Sequence, residues 1–178
     1  MIRLLLAAAL ILPTAAFAVG SGDSTPPSTT DTTSRCTDGK VWDPRTRGCV
    51  TPSQDSRLDD DTLYQAVREF AYAGRNDDAL QALAAMSDQG DDRVLTYMGF
   101  VHRRMGDAEL GNAYYRQALA RNPDNLLARS YMGQGMAESG DMAAARLQLA
   151  EIRMRGGTGT WAETALMQAI ETGRGASY

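Results

Sequence analysis

An offset of 34 residues organises the chain beyond Asp59. Tyr97-Met98-Gly99 returns as Tyr131-Met132-Gly133, Gly106-Asp107 returns as Gly140-Asp141, and Gly111 becomes Ala145, all at that spacing. A looser copy places Gly74 and Ala79 32 residues before Gly106 and Gly111. A period of this length marks an array built from one supersecondary unit. A small residue at the same place in three copies is what closely approaching antiparallel helices require. Leu95, Met98, Gly99 and His102 follow the i, i+3, i+4, i+7 rule of one helical face, while Leu110, Tyr114, Ala118 and Arg121 follow it less cleanly, as a partner helix partly turned to solvent would. Helix starts are acidic, at Asp59-Asp60-Asp61, Asp77-Asp78, Asp91-Asp92, Asp107, Asp124 and Asp141, where carboxylates cap free N–H groups. Gly74, Gly106 and Gly140 provide the left-handed residue that ends a helix. These signals predict helices over 60–73, 77–87, 92–105, 108–120, 126–139 and 142–154. A last helix over 160–172 puts Trp161, Ala165, Leu166 and Ile170 on one side, to cover the open end of the stack.

At these residues the chain resembles the tetratricopeptide repeat family. In the best copy, Asp92–Asn125, Leu95, Met98, Gly99, His102, Gly106, Gly111, Tyr115, Ala118 and Pro123 fall on the family's marker positions, with Leu95 for the usual tryptophan and His102 for the usual tyrosine. The next copy keeps Met132, Gly133, Gly140 and Ala145 but has Arg129 out of pattern and Gly157 where the closing proline belongs. The first copy keeps Phe70, Gly74, Ala79 and Leu83, has Val67 for the small residue and is two residues short. The resemblance implies an all-α domain over 59–173, a right-handed superhelical stack of antiparallel helix pairs with about three units and a C-terminal capping helix.

The resemblance also implies a concave groove lined by the first helix of each pair. Carried over residue by residue, the groove takes Asp61, Tyr64, Arg68, Ala71 and Tyr72 from the first copy. Arg93, Thr96, Phe100, Arg103 and Arg104 come from the second, and Leu127, Ser130, Gln134, Ala137 and Glu138 from the third. Tyr64, Arg68, Arg93, Phe100, Arg103, Arg104 and Gln134 form the expected peptide-binding set. Arginine forks would hold carboxylates of an acidic peptide, with Tyr64 and Phe100 supplying apolar contact. The alternative is that Arg68, Arg103 and Arg104 form a solvated face paired with the acidic helix starts. The family's clamp for a terminal carboxylate needs a lysine and an asparagine, and this chain has neither at those groove positions.

The other segments read differently. Residues 1–18 have the form of a secretory signal peptide: Arg3, the apolar run Leu4–Leu12, the break at Pro13 and the small residues Ala16 and Ala18 before a cleavage site. The run is too short for a membrane span, so no span is expected after cleavage. Residues 19–34, rich in Gly, Ser, Thr and Pro, are expected to form a disordered linker. Within 35–52, Cys36 and Cys49 are the only cysteines, and behind an export signal they predict a disulfide. The bond would staple a hairpin of Lys40-Val41-Trp42 and Gly48-Cys49-Val50 turned at Asp43-Pro44-Arg45-Thr46-Arg47. Trp42 would either cover the sulfur atoms or stack on a sugar ring.

A net charge of −4 argues against nucleic acid as partner, since phosphate contacts need clustered positive charge. With His102 as the sole histidine, two thiols and no phosphate-binding loop, neither a metal site nor a catalytic set is expected, and no cofactor. The sequence therefore predicts an exported protein, periplasmic or extracellular, that binds a protein or peptide without catalysis. A rival from another class is a cell-wall or carbohydrate-binding accessory protein acting through the hairpin and Trp42. An open end of the array would also admit self-association.

Overall fold

The computed structural model describes residues 26–53 and 57–175. The leader read at 1–18 and the first part of the expected linker lie outside the described residues. Among the described residues the fold is mostly helical, with eight helices and a two-stranded hairpin. The chain opens with α1 (Asp31–Arg35), then β1 (Val41–Asp43) and β2 (Gly48–Val50). The long helices follow: α2 (Asp60–Tyr72), α3 (Asn76–Ala85), α4 (Asp92–Arg104), α5 (Ala108–Arg121), α6 (Leu126–Glu138), α7 (Met142–Met154) and α8 (Trp161–Thr172). Each of these lies within two residues of its expected bounds.

The ends are set by local chemistry. Side chains of Asp59, Asp91, Asp107 and Asp141 accept backbone N–H bonds in the first turns of α2, α4, α5 and α7. Two acidic starts behave otherwise. Asn125, not Asp124, caps α6, because it directly precedes the first helical residue, Leu126; Asp124 pairs with Arg155 at 2.5 Å. Before α3, Arg75 makes no side-chain cap bond.

Consecutive helices pair, α2 with α3, α4 with α5 and α6 with α7, and the first members lie side by side in the order α2, α4, α6. Their first residues, Asp60, Asp92 and Leu126, repeat the spacings of 32 and 34 seen in the sequence. The closest crossing is that of α4 with α5. A Cβ on Gly99 would lie 2.6 Å from the Tyr115 ring and 2.9 Å from the Gly111 carbonyl oxygen, so the marker glycines permit backbone contact. Tyr115, Ala79 and Ala145 are wholly buried. At Gly157, which stands where proline closes the middle copy, a Cβ would lie 2.8 Å from the Ile152 carbonyl oxygen, so the departure from pattern has its own steric reason.

Both ends of the array are covered. Leu166 and Ala169 of α8 are buried with Ala137, Ala145 and Ile152, and Ala165 is fully buried, while Thr164, Gln168 and Glu171 face solvent. At the other end sits the hairpin, in register Val41↔Val50, Trp42↔Cys49 and Asp43↔Gly48. The Cys36–Cys49 disulfide joins it to the end of α1, with the Cα atoms 5.6 Å apart. Val41 is fully buried in the same core as Leu58, Leu63 and Phe70, so the staple is assisted by a shared core. The C-terminal part of the expected linker is also placed: Thr30 caps α1, Thr32 is buried, and its hydroxyl accepts from the Trp42 amide at 3.2 Å. Within the segment expected as linker, threonine hydroxyls thus provide polar anchoring where apolar burial is missing.

Candidate binding face

The first helix of each pair contributes aromatic rings to one continuous row. Tyr64 of α2 meets Tyr97 of α4 edge-on at 5.6 Å, and Tyr97 meets Tyr131 of α6 edge-on at 5.8 Å. Phe100 lies 4.7 Å from Tyr131 and stacks on Tyr72 at 5.2 Å with planes 9° apart. The hydroxyls converge as well. Those of Tyr72 and Tyr131 are 2.6 Å apart, those of Tyr97 and Tyr131 3.2 Å, and the Trp161 indole N–H of α8 donates to Tyr72 at 3.4 Å. Burial pushes the Tyr131 phenol well above its ordinary range, and the neighbouring Tyr97 and Tyr72 add to the shift. The Tyr131 phenol is thus uncharged at physiological pH.

The expected arginines border this row. Arg93 lies over the Tyr64 ring at 5.0 Å and is bound to Asp61 at 2.9 Å and Asp91 at 3.3 Å. Arg68 lies over the same ring at 6.0 Å and donates to Gln65 at 3.3 Å. Arg103 lies over Phe100 at 5.7 Å and pairs with Glu138. It runs past Gly135, where a Cβ would lie 2.9 Å from its Cδ. Gln134 donates to the Ser130 hydroxyl at 3.0 Å. Arg104 alone of the seven is exposed.

The structure thus gathers Tyr64, Arg68, Arg93, Phe100 and Arg103 but does not leave them open. Tyr64, Arg68, Phe100 and Gln134 are each at most 5% exposed. Two of the arginine forks already hold carboxylates of their own chain: Arg93 with the helix-start Asp91, and Arg103 with a neighbouring helix through Glu138. Described residues from both chain ends approach the face. Pro26, Pro27 and Ser28 line a cavity with Gln65, Arg68 and Glu69, and the Gly175 N–H donates to Glu138 at 2.9 Å. Sequence reasoning missed Tyr97, Tyr131 and Trp161 as members of the row. The recurrence of tyrosine at 97 and 131 was a signal for it, but only as a repeat marker. Glu69 gave none, because its partners lie more than 30 residues upstream.

Elsewhere, the His102 ring stacks on Tyr114 at 5.5 Å and 16°. Trp42 is half-buried, with the Arg35 guanidinium 5.1 Å over its ring, so a sugar stacking on that side would have to displace Arg35. Among the described residues, no group of three or more His, Cys, Asp or Glu side chains could hold a metal ion. None of the described helices is long and apolar enough to cross a membrane.

The class these features define is a mostly helical protein of paired helices with a disulfide-bonded hairpin at one end. No protein-family model matches the chain, and no curated protein or solved structure is significantly similar to it.

Proposed function

We propose that the chain is an exported, non-catalytic scaffold of the tetratricopeptide-repeat type. It acts in the periplasm or outside the cell and binds a protein or peptide across the first helices of its pairs. The observation that carries this reading is the ring row from Tyr64 to Trp161, in which α2, α4, α6 and α8 all place aromatic side chains on one side. The inner rings are buried and hold the edge rings Tyr72 and Trp161 rigid and half-exposed, and rigid rings with polar tips are favoured at interfaces. The disulfide supports an oxidising compartment. Because Tyr97, Phe100 and Tyr131 are buried and Arg93 and Arg103 are already neutralised, the contact falls to the half-buried Tyr72 and Trp161 at the edge of the row, with Arg104 exposed for acidic groups of the partner. The test is capture from an envelope extract by the native chain, by Tyr72→Glu and by Trp42→Ala. The scaffold reading expects the captured protein to disappear with Tyr72→Glu and to persist with Trp42→Ala. The reverse pattern would favour a wall-binding role for the hairpin.

A further inference from the structure

We propose that Pro26–Ser34 is an intramolecular strap that closes one rim of the aromatic face, with the Glu69 carboxylate as its latch. The proposal deepens the scaffold reading and rests on it for its purpose, although the strap itself can be tested without any partner. Glu69 lies in the last turn of α2 and is 5% exposed. Its carboxylate accepts from the Thr30 N–H at 2.5 Å, the Thr30 hydroxyl at 2.6 Å, the Thr33 N–H at 3.2 Å and the Thr33 hydroxyl. A buried carboxylate is tolerated only where donors replace water. Here every donor comes from the segment that also covers it, so burial and satisfaction are gained or lost together.

The latch sits next to the row. Pro27, Ser28, Thr29 and Thr33 line a cavity with Glu69, Tyr72 and Ala73, and the stretch just before reaches Gln65 and Arg68. Tyr72 is the ring that stacks on Phe100 and bonds both Tyr131 and Trp161. Lifting the strap therefore uncovers the edge of the row at Tyr72 and Arg68. The strap's two prolines fix two φ angles and lower the entropy lost when it lies down. Its far end is tied through α1 and Cys36 to the hairpin. A tether that short holds the strap at millimolar effective concentration, and a partner's apparent affinity falls by the fraction of chains that are open. The device sets a threshold: only a ligand whose contacts with the rings exceed those of the strap opens the face.

Hydrogen exchange by mass spectrometry on the full chain, disulfide intact, tests this with Glu69→Gln and with Thr30→Ala/Thr33→Val. The double variant touches no core residue; because Thr30 also caps α1, Thr33→Val alone, which leaves that cap in place, is its control and must show the same direction of change. Bonds to a charged acceptor predict that amides of 26–35 exchange about tenfold to a hundredfold faster in both variants, with α4–α7 unchanged. Binding of the apolar dye bis-ANS should rise in parallel. Unchanged exchange over 26–35 in the double variant would overturn the latch. Faster exchange without added dye binding would overturn the strap as a cover. Neither result depends on the Tyr72→Glu capture, so a failed capture with a mobile strap would remove the scaffold reading alone. Should Glu69→Gln unfold α2, the double variant decides.

Discussion

The hydroxyl oxygens of Tyr72 and Tyr131 lie 2.6 Å apart although the residues are 59 positions apart in the chain. This contact joins the end of α2 to the middle of α6 across α4, so it ties the first and third helix pairs without passing through the turns between them. Tyr131→Phe removes the partner shared by Tyr72 and Tyr97 and should lower stability by about 1–2 kcal/mol. A double-mutant cycle with Tyr72→Phe, read by urea denaturation, should return a coupling near 1 kcal/mol. Additive effects would mean that the hydroxyls are neighbours without being bonded.

The glycine crossing between α4 and α5 predicts a sharp contrast. Gly99→Ala puts a methyl 2.6 Å from the Tyr115 ring and 2.9 Å from backbone, and both are held by a filled core. It should cost about 1–3 kcal/mol or more through overpacking. Gly48→Ala meets nothing closer than 3.9 Å and should stay within about 0.5 kcal/mol of the parent. Thermal melts of the two variants side by side are sufficient.

Removing the staple should be felt beyond the hairpin. Cys36→Ser/Cys49→Ser reopens a loop with a sequence separation of 13 and should cost about 2–4 kcal/mol. Val41 belongs to the core of α2 and α3, so those helices should lose exchange protection as well, while α6–α8 keep theirs.

Acid should loosen α8 before the middle of the array. The Arg153 guanidinium at 2.6 Å, then the Gly159 N–H at 2.7 Å, hold the Glu163 carboxyl below the usual carboxylate range. A carboxyl depressed in the folded state adds stability above its unfolded value and loses it as pH falls through the folded value. The loss therefore falls below about pH 4. Bonds from the Arg45 N–H, then Thr46, lower Asp43 in the same sense at the hairpin. Glu163→Gln should be less stable than the parent at pH 7 and should converge with it near pH 3, measured as urea midpoints across that range.

Much of this was legible from residue order, for a physical reason. Gly-Asp steps stop one helix and cap the next within a few residues, and the 34-residue recurrence of small residues fixes which helices can cross closely. Those are local determinants, and α2–α8 follow them. Contacts between distant residues left no comparable trace. Thr30 and Thr33 read as linker residues, because nothing near them announces that Glu69 will supply their acceptor. Whether the arginines are open forks or paired stayed undecided in the sequence, since Arg103 and Glu138 meet only once α4 and α6 lie side by side. The Asn125 cap was missed because Asp124 beside it is equally a capping residue type, and only the start of α6 at Leu126 decides between them.

The central claim is that a partner sits at the half-buried edge of the ring row, at Tyr72 and Trp161. A photo-crosslinking amino acid at position 72, compared with one at Leu147 on the exposed side of α7 and one at Trp42 in the hairpin, tests it most directly. The account predicts one discrete adduct from position 72, strengthened when Thr30 and Thr33 are replaced, and none from the other two. An adduct from 147 or 42 with position 72 silent would contradict it.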